Sequence, residues 1–509
     1  MKKIFLLSLI LVALTATQSC TDLVEEPVGL LAPEAFFQSV ADVETAVLGS
    51  YAYIASEQFY GRKLVLSLQL RSDMCDIGDR NTPGRRQQVN DFNMDSNNGM
   101  ITAFWPRAYQ IIGAANAAIA GAEQVGEPAG QINELIAESR FIRAFAYYHL
   151  VRVFGDIPYI DFAIDDPESV SAIGKTPESE VYTNIIADLE FAKTNLPDEQ
   201  DGLRTRPTKG TAAAYLSSVH MTLSNWQDAY NEAKYVIDNS GTFGYRLMDD
   251  FATLWDATQH DGLAEHIFAV DFAGNLSGPN NQNTDWMAPI TGIRSVTLPN
   301  VNAGWSVSVP AFSVYDTWDA RDYRRRASMI DSAFVDGEWS GYELFAPNHG
   351  SPRPHIGKYF RNPGTHRGDG GRSDNNYVAF RYAEVLLIAA EALNELGGSE
   401  GELLGYLNEI RARARNWNGA MTDFPADVAA GLSQGEMRDL IMEERRLELA
   451  FEFKRWYDIK RRDMGVEVFN GPNSLEPHPT FDPTRDYYFP IPQDEIDRNE
   501  NLLPQNPGY

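Results

Sequence analysis

Two stretches, "ITAFWPRAYQIIGAANAAIAGAEQV" (101–125) and "INELIAESRFIRAFAYYHLVRVFGDIPYI" (132–160), constrain the fold of this chain more than any other feature. Alanines and aliphatics recur in them at three- and four-residue spacing, the period of an α-helix. In the first, Ala114, Ala115, Ala117 and Ala118 are small enough for a neighbouring helix to approach closely, as stacked helix pairs require. The second reads as helix to about Phe154, where Gly155 and Pro158 stop it.

More helices follow. "TPESEVYTNIIADLEFAKTNLP" places Thr176 as N-cap and Pro177 at the first helical position. "PTKGTAAAYLSSVHMTL" and "NWQDAYNEAKYVIDN" supply two more, and Trp226, Ala229, Tyr230 and Ala233 recur as in half of a tetratricopeptide hairpin. From about Gly274 to Tyr377 the period is lost among Gly, Asn, Pro and aromatic residues, a length that in a compact protein is functional or disordered, with the aromatics favouring order. Helix returns with "AFRYAEVLLIAAEALNELGG", "LLGYLNEIRARARNWN" and "GEMRDLIMEERRLELAFEFKRWYDIKRR", before an irregular tail to Tyr509. Hydrophobic residues at 43% and charged ones at 22% are those of a globular chain, and the net charge of -28 argues against nucleic acid as a partner.

The amino terminus combines Lys2 and Lys3, an apolar run from Ile4 to Ala16, and small or polar residues up to Cys20, one of only two cysteines. These are the parts of a secretory signal, too short to span a membrane. Ser19-Cys20 resembles the lipobox of a bacterial lipoprotein, with Thr17 and Gln18 departing from the commoner pattern; a plain signal peptide with an incidental cysteine is the alternative. Residues 1–19 are thus expected to be removed and 20–30 to form a tether on a lipidated Cys20. Cys75 then has no disulfide partner and is expected to be structural, since no nearby histidine lowers its pKa.

The blocks "AESRFIRAFAYYHLVRVFGDIPYI", "RPTKGTAAAYL", "FRYAEVLLIAAEALNE", "YLNEIRARA", "EERRLELAFEFKRWYDIKR" and "YFPIPQDEIDRNENLLPQNPGY" resemble, in order, those of the SusD/RagB family of Bacteroidetes outer-membrane nutrient-binding lipoproteins. The resemblance implies an all-α fold, a right-handed bundle or solenoid of four tetratricopeptide-like helical hairpins with an irregular, loop-rich ligand-binding face. Residues 31–509 would form one domain: a helical half (31–273), a binding region (274–378), then C-terminal helices and a docked tail (379–509). It also implies a surface-facing, lipid-anchored protein that captures oligosaccharide or polysaccharide and passes it to a SusC-like TonB-dependent transporter. Some relatives take peptides instead.

A sugar offers apolar C–H faces and a rim of hydroxyls, so its site needs aromatic planes beside groups that hydrogen-bond. Trp286 in "NNQNTDWMAP" and Trp305 in "NVNAGWSVS" sit in polar, turn-prone segments with no apolar period to bury them. Asn283, Asp285 and Asn302 are the expected polar grip, with Tyr60, Asp79 and Arg80 from the earlier segment after them, whereas Trp105 lies in a helical block and is expected in the core. Arg143, Arg381, Arg411 and Arg455 are expected to hold helices together, and the Pro-rich tail to dock through Phe489 and Ile491. No zinc-protease, nucleophile-elbow or phosphate-loop motif is present, and His260 and His266 are off the spacing for two ligands on one helix face. The reading is non-catalytic, with no metal or cofactor; peptide capture on the same scaffold and a secreted glycoside hydrolase are the alternatives.

Overall fold

The computed structural model describes residues 36–126, 128–164, 166–200, 202–272, 284–294, 304–335, 338–345, 352–359 and 374–509. The leader, the tether and Cys20 lie outside them. Helices α1 (Val40–Ala55) and α2 (Ile101–Val125) pack together, then α3 (Ala129–Phe154) with α4 (Glu178–Asn195), and α5 (Lys209–Thr222) with α6 (Trp226–Asp238). Beyond the irregular region, α7 (Tyr382–Leu396) packs on α6, with α8 (Glu400–Ala414) and α9 (Gln434–Glu448) against it. The result is an all-α scaffold of four tetratricopeptide-like hairpins, each laid on its predecessor.

The helix ends follow from local chemistry. Gly126 closes α2 in the left-handed region at φ 70°, which a residue with a Cβ adopts only at a cost. Thr208 caps α5, its hydroxyl accepting from the Thr211 backbone N–H while Thr211 answers in a reciprocal capping box. The start of α4 differs from expectation by one residue: Pro177 is the N-cap and the helix begins at Glu178. Thr176 exchanges backbone hydrogen bonds with Ile157 at 2.9 and 3.2 Å, and that bridge holds it extended.

Helix α3 is the axis of the first half, with every residue from Leu135 to Phe154 buried except Arg140. Two of its buried charges, Glu138 and Arg143, are ion-paired, because an orphan charge in that position is expensive, while Arg152 lies against the Tyr148 and Tyr457 rings. Arg143 grips Asp188 of α4 at 2.7 and 2.8 Å and Asn116 of α2 at 2.8 Å. In α2, Ala115 and Ala118 are fully buried, while Ala114 and Ala117 stand at the margin. Trp105 and Cys75 are in the core, and burial pushes the Cys75 thiol far up, which keeps it protonated and inert. The tail docks as its prolines suggest: Phe489 and Ile491 are buried, the Phe489 N–H donates to Val153 at 2.9 Å, and the Asn506 amide donates to Phe154 at 2.8 Å.

A short antiparallel ladder pairs His266–Val270 with Tyr377–Arg381, bringing together the two ends of the irregular region. Arg381 at this neck donates to Glu265 at 2.8 Å, to Glu448 of α9 at 2.6 Å, and to Glu452 at 2.8 Å. Arg413 of α8 reaches Glu265 at 2.8 Å and also Glu448. From the inserted region itself, Arg324 reaches Glu444 at 2.5 Å and Glu448 at 3.2 Å, and Lys358 reaches Glu452 at 2.6 Å. Arg411 pairs with Glu444 at 2.7 Å, and Arg455 with Asp73 at 2.8 Å.

Burial by itself would raise the Glu448 carboxyl, yet Arg413, Arg381 and Arg324 outweigh it and hold the group well below the usual carboxylate range. A lowered folded pKa contributes stability above the unfolded value of about 4.3 and loses it as the pH falls below that value. Urea midpoints followed by circular dichroism should therefore stay level near neutrality and fall steeply below about pH 4. Glu448→Gln, which leaves buried guanidiniums underpaired, should lower stability at pH 7 by about 3–5 kcal/mol and make the acid limb shallower.

Candidate functional site

The site is built where the inserted region returns to the helices. An antiparallel ribbon pairs Cys75–Ile77 with Ser308–Pro310. It continues as the N–H groups of Gly78 and Asp79 donate to Val307 and Ser306 at 3.0 and 2.7 Å. Against this ribbon lies the short helix Met287–Thr291. Its carbonyl end is satisfied by the strand opposite: the N–H groups of Trp305, Ser306 and Val307 donate to Pro289, Gly292 and Ile290 at 2.6, 2.9 and 2.8 Å. Gly292 and Gly304 make that approach possible, since a Cβ on Gly304 would fall 2.2 Å from the Gly292 carbonyl. Ser306 takes a left-handed φ of 48°, held by its hydroxyl at 2.8 Å from His355 Nε2.

This clasp sets Trp286 beside Trp305. The two partly buried rings lie 5.6 Å apart at 39°, joining segments 19 residues apart in the chain. Arg62 lies over Trp286, its guanidinium carbon 4.9 Å from the ring centroid, and pairs with Glu57. The placement of Arg62 depends on Gly61, where a Cβ would lie 2.7 Å from the Ala55 carbonyl oxygen.

The other expected residues divide sharply. Asp285 is 1% exposed: its carboxylate accepts from the Tyr377 hydroxyl, from the Asn375 amide at 3.0 Å and from the Ala288 N–H at 3.0 Å. It anchors the helix under Trp286 and presents nothing to a ligand. Tyr60, 3% exposed, packs against Phe145, His149 and Phe453, so it too is core and does not line the face. Asp79 is buried and committed to Arg294 at 2.8 Å; it is Arg294 that reaches the surface there. Arg80 is half-exposed, but it is clamped onto Asp91 at 2.8 Å and Asp76 at 3.2 Å. Asn283 and Asn302 lie outside the described residues. Arg62 was missed because "FYGRK" draws attention to its aromatic, and only the tertiary turn at Gly61 shows that Tyr60 faces inward and Arg62 faces Trp286.

His260 and His266 are both buried, with ring centroids 6.2 Å apart. Burial lowers His260 to about 4, and its Nδ1 accepts from the Asn376 N–H at 2.9 Å, a neutral ring in a structural role. Among the described residues no group of three or more His, Cys, Asp or Glu is arranged to hold a metal ion, and no helix is long and apolar enough to cross a membrane.

Comparison with known proteins places this arrangement. SusD-like protein P2 of Formosa agariphila is 51% identical over 98% of both chains. The chain belongs to the SusD family. The SusD family profile matches residues 311–509, and a second, described as "Starch-binding associating with outer membrane", matches residues 38–221. A further SusD-like relative, P25 of the same organism, is 27% identical over 96% of this chain and 97% of its own. Among solved structures, a SusD homolog from Bacteroides thetaiotaomicron superposes with a TM-score of 0.81 at 21% identity, covering 94% of this chain and 98% of its own. A laminarin-binding SusD-like protein gives 0.76 at 24% identity, over 92% and 99%. Surface glycan-binding protein A from Bacteroides thetaiotaomicron, solved in complex with laminarihexaose, gives 0.75 at 21%, over 92% and 99%. At these identities the superpositions establish the SusD fold.

The tryptophan pair should depend on the two-glycine clasp. Gly304→Ala forces the strand away from Gly292, so the near-ultraviolet circular dichroism of the coupled indoles should drop while the far-ultraviolet helix signal is retained.

Proposed function

We propose that this chain is a cell-surface glycan-binding lipoprotein that captures oligosaccharide or polysaccharide and delivers it to a SusC-like TonB-dependent outer-membrane transporter. The observation that carries the reading is the Trp286–Trp305 pair, two rings 5.6 Å apart set by a backbone clasp at the edge of a rigid helical scaffold. Two tilted aromatic planes match successive faces of a bound saccharide, and fixing them before binding lowers the entropy lost on capture. Proteins of the same fold, one that binds laminarin and one solved in complex with laminarihexaose, support a sugar as the ligand. The family description, starch binding with outer-membrane association, supports the compartment.

In this mechanism the protein does no bond chemistry. A saccharide stacks on the indoles, several units engaged together prolong its residence through effective concentration, and the transporter supplies the energy of import. The lipid on Cys20 keeps the binding face at the membrane surface, because multiple acyl chains anchor where one holds only marginally.

Titration calorimetry against neutral glycans, acidic glycans and peptides should give saturable binding to glycan. Trp286→Ala and Trp305→Ala should each weaken it about tenfold or more, as buried aromatic anchors do. Binding confined to peptides would turn the assignment to peptide capture, and release of reducing sugar from polysaccharide by the purified chain would overturn the non-catalytic reading. In detergent phase partition of native membranes, the wild-type chain should enter the detergent phase and Cys20→Ser the aqueous one.

A further inference from the structure

The buried guanidiniums of the neck all meet carboxylates; beside the tryptophans a different rule holds. Arg86 is 6% exposed, yet its side chain makes one hydrogen bond to a described residue, from Nη1 to the Thr82 hydroxyl at 2.9 Å. Among the described residues no carboxylate pairs with Arg86 or with the adjoining Arg85. The charges facing Arg86 are Arg62, Arg85 and Glu57, and burial together with the two guanidiniums lowers it to about 10. Lys63 completes the group: its Nζ donates to the Gly99 carbonyl at 3.2 Å, and burial lowers its pKa, with Arg62, Arg85 and Arg86 adding to the effect. Among the described residues four cations thus stand against Glu57, which is already bound to Arg62.

A buried, underpaired cation is costly in a folded protein, and a chain with a net charge of -28 has no shortage of carboxylates with which to pair it. The group also continues into the candidate site through Arg62, which lies on the Trp286 ring. Guanidiniums hydrogen-bond carboxylate and sulfate oxygens in bidentate fashion, and a partly dry setting strengthens the contact.

We propose that this face selects an anionic glycan, whose carboxylate or sulfate groups seat against Arg62, Arg85 and Arg86 while a neighbouring sugar ring lies on Trp286 and Trp305. The inference rests on the glycan-binding reading and names the class of glycan. The overall acidity of the surface then acts as a filter: polyanions are repelled except where this cluster meets them.

The test is calorimetry on the purified chain with two matched pairs: polygalacturonate against its methyl ester, and a sulfated galactan against its chemically desulfated form, each at 50 and 300 mM salt. One acidic member should bind at least about tenfold more tightly than its neutral counterpart and lose affinity at the higher salt. Which pair shows the difference separates carboxylate from sulfate. Arg85→Gln and Arg86→Gln should each erase that preference. Arg86→Gln should also hold or raise the melting temperature of the unliganded chain, where a merely structural arginine would lower it; should it lower it, Arg85→Gln, at a partly exposed position, decides. Equal binding of charged and neutral members, or acidic binding unchanged in both variants, overturns the proposal and leaves glycan binding standing. Failure of every glycan to bind overturns both.

Discussion

The interaction on which the rest depends is the buried ionic knot at Arg381. It sits where the ladder of the inserted region meets α7, and its partners come from two distant segments: Glu265 just before the first strand, and Glu448 and Glu452 at the end of α9 and just past it. Arg413 ties in α8, while Arg324 and Lys358 tie in the inserted region. Burying so many charges is repaid only when nearly every donor and acceptor finds its partner, so the knot tolerates one geometry and few near misses. Such an arrangement fixes how a long, irregular excursion returns to a regular scaffold. Without it, the two strands of the neck would be held by one short bulged ladder.

From that neck the candidate site inherits its rigidity. The clasp between Met287–Thr291 and residues 304–307 is built almost wholly from backbone hydrogen bonds and two glycines, so it is indifferent to most side chains around it. Side chains placed on a fixed backbone pay little to be ordered when a ligand arrives. Asp285 shows the same division of labour: a polar residue beside a partly buried aromatic, committed to anchoring the turn. The scaffold supplies position, and in the proposed reading the rings and cations meet the ligand.

Electrostatics adds a contrast between whole and part. The neck knot carries opposite charges in near balance, whereas the group around Arg62, Arg85 and Arg86 has an excess of positive charge within an acidic protein. Balanced charges give structural specificity, and an unbalanced group gives a preference for what lies outside the molecule.

The helical half was legible in the sequence because a 3.6-residue period and small residues at helix contacts are local signals: α2 spans Ile101–Val125 as the pattern indicates, and Arg143 pairs as a charge among apolar neighbours must. The Thr176 cap was off by a residue because a bridge to Ile157 outranked its capping preference. The site was legible only in part. Trp286 and Trp305 stood out by their polar surroundings, but that they adjoin each other, that Tyr60 and Asp285 are buried, and that Arg62 lies on an indole are properties of contacts between distant segments. Sequence by itself determined the helices, the packing residues and the family, since each is written in periods and blocks along the chain. Which side chains share one surface was decided only by the tertiary structure, because burial depends on what folds against a residue and no local period records it.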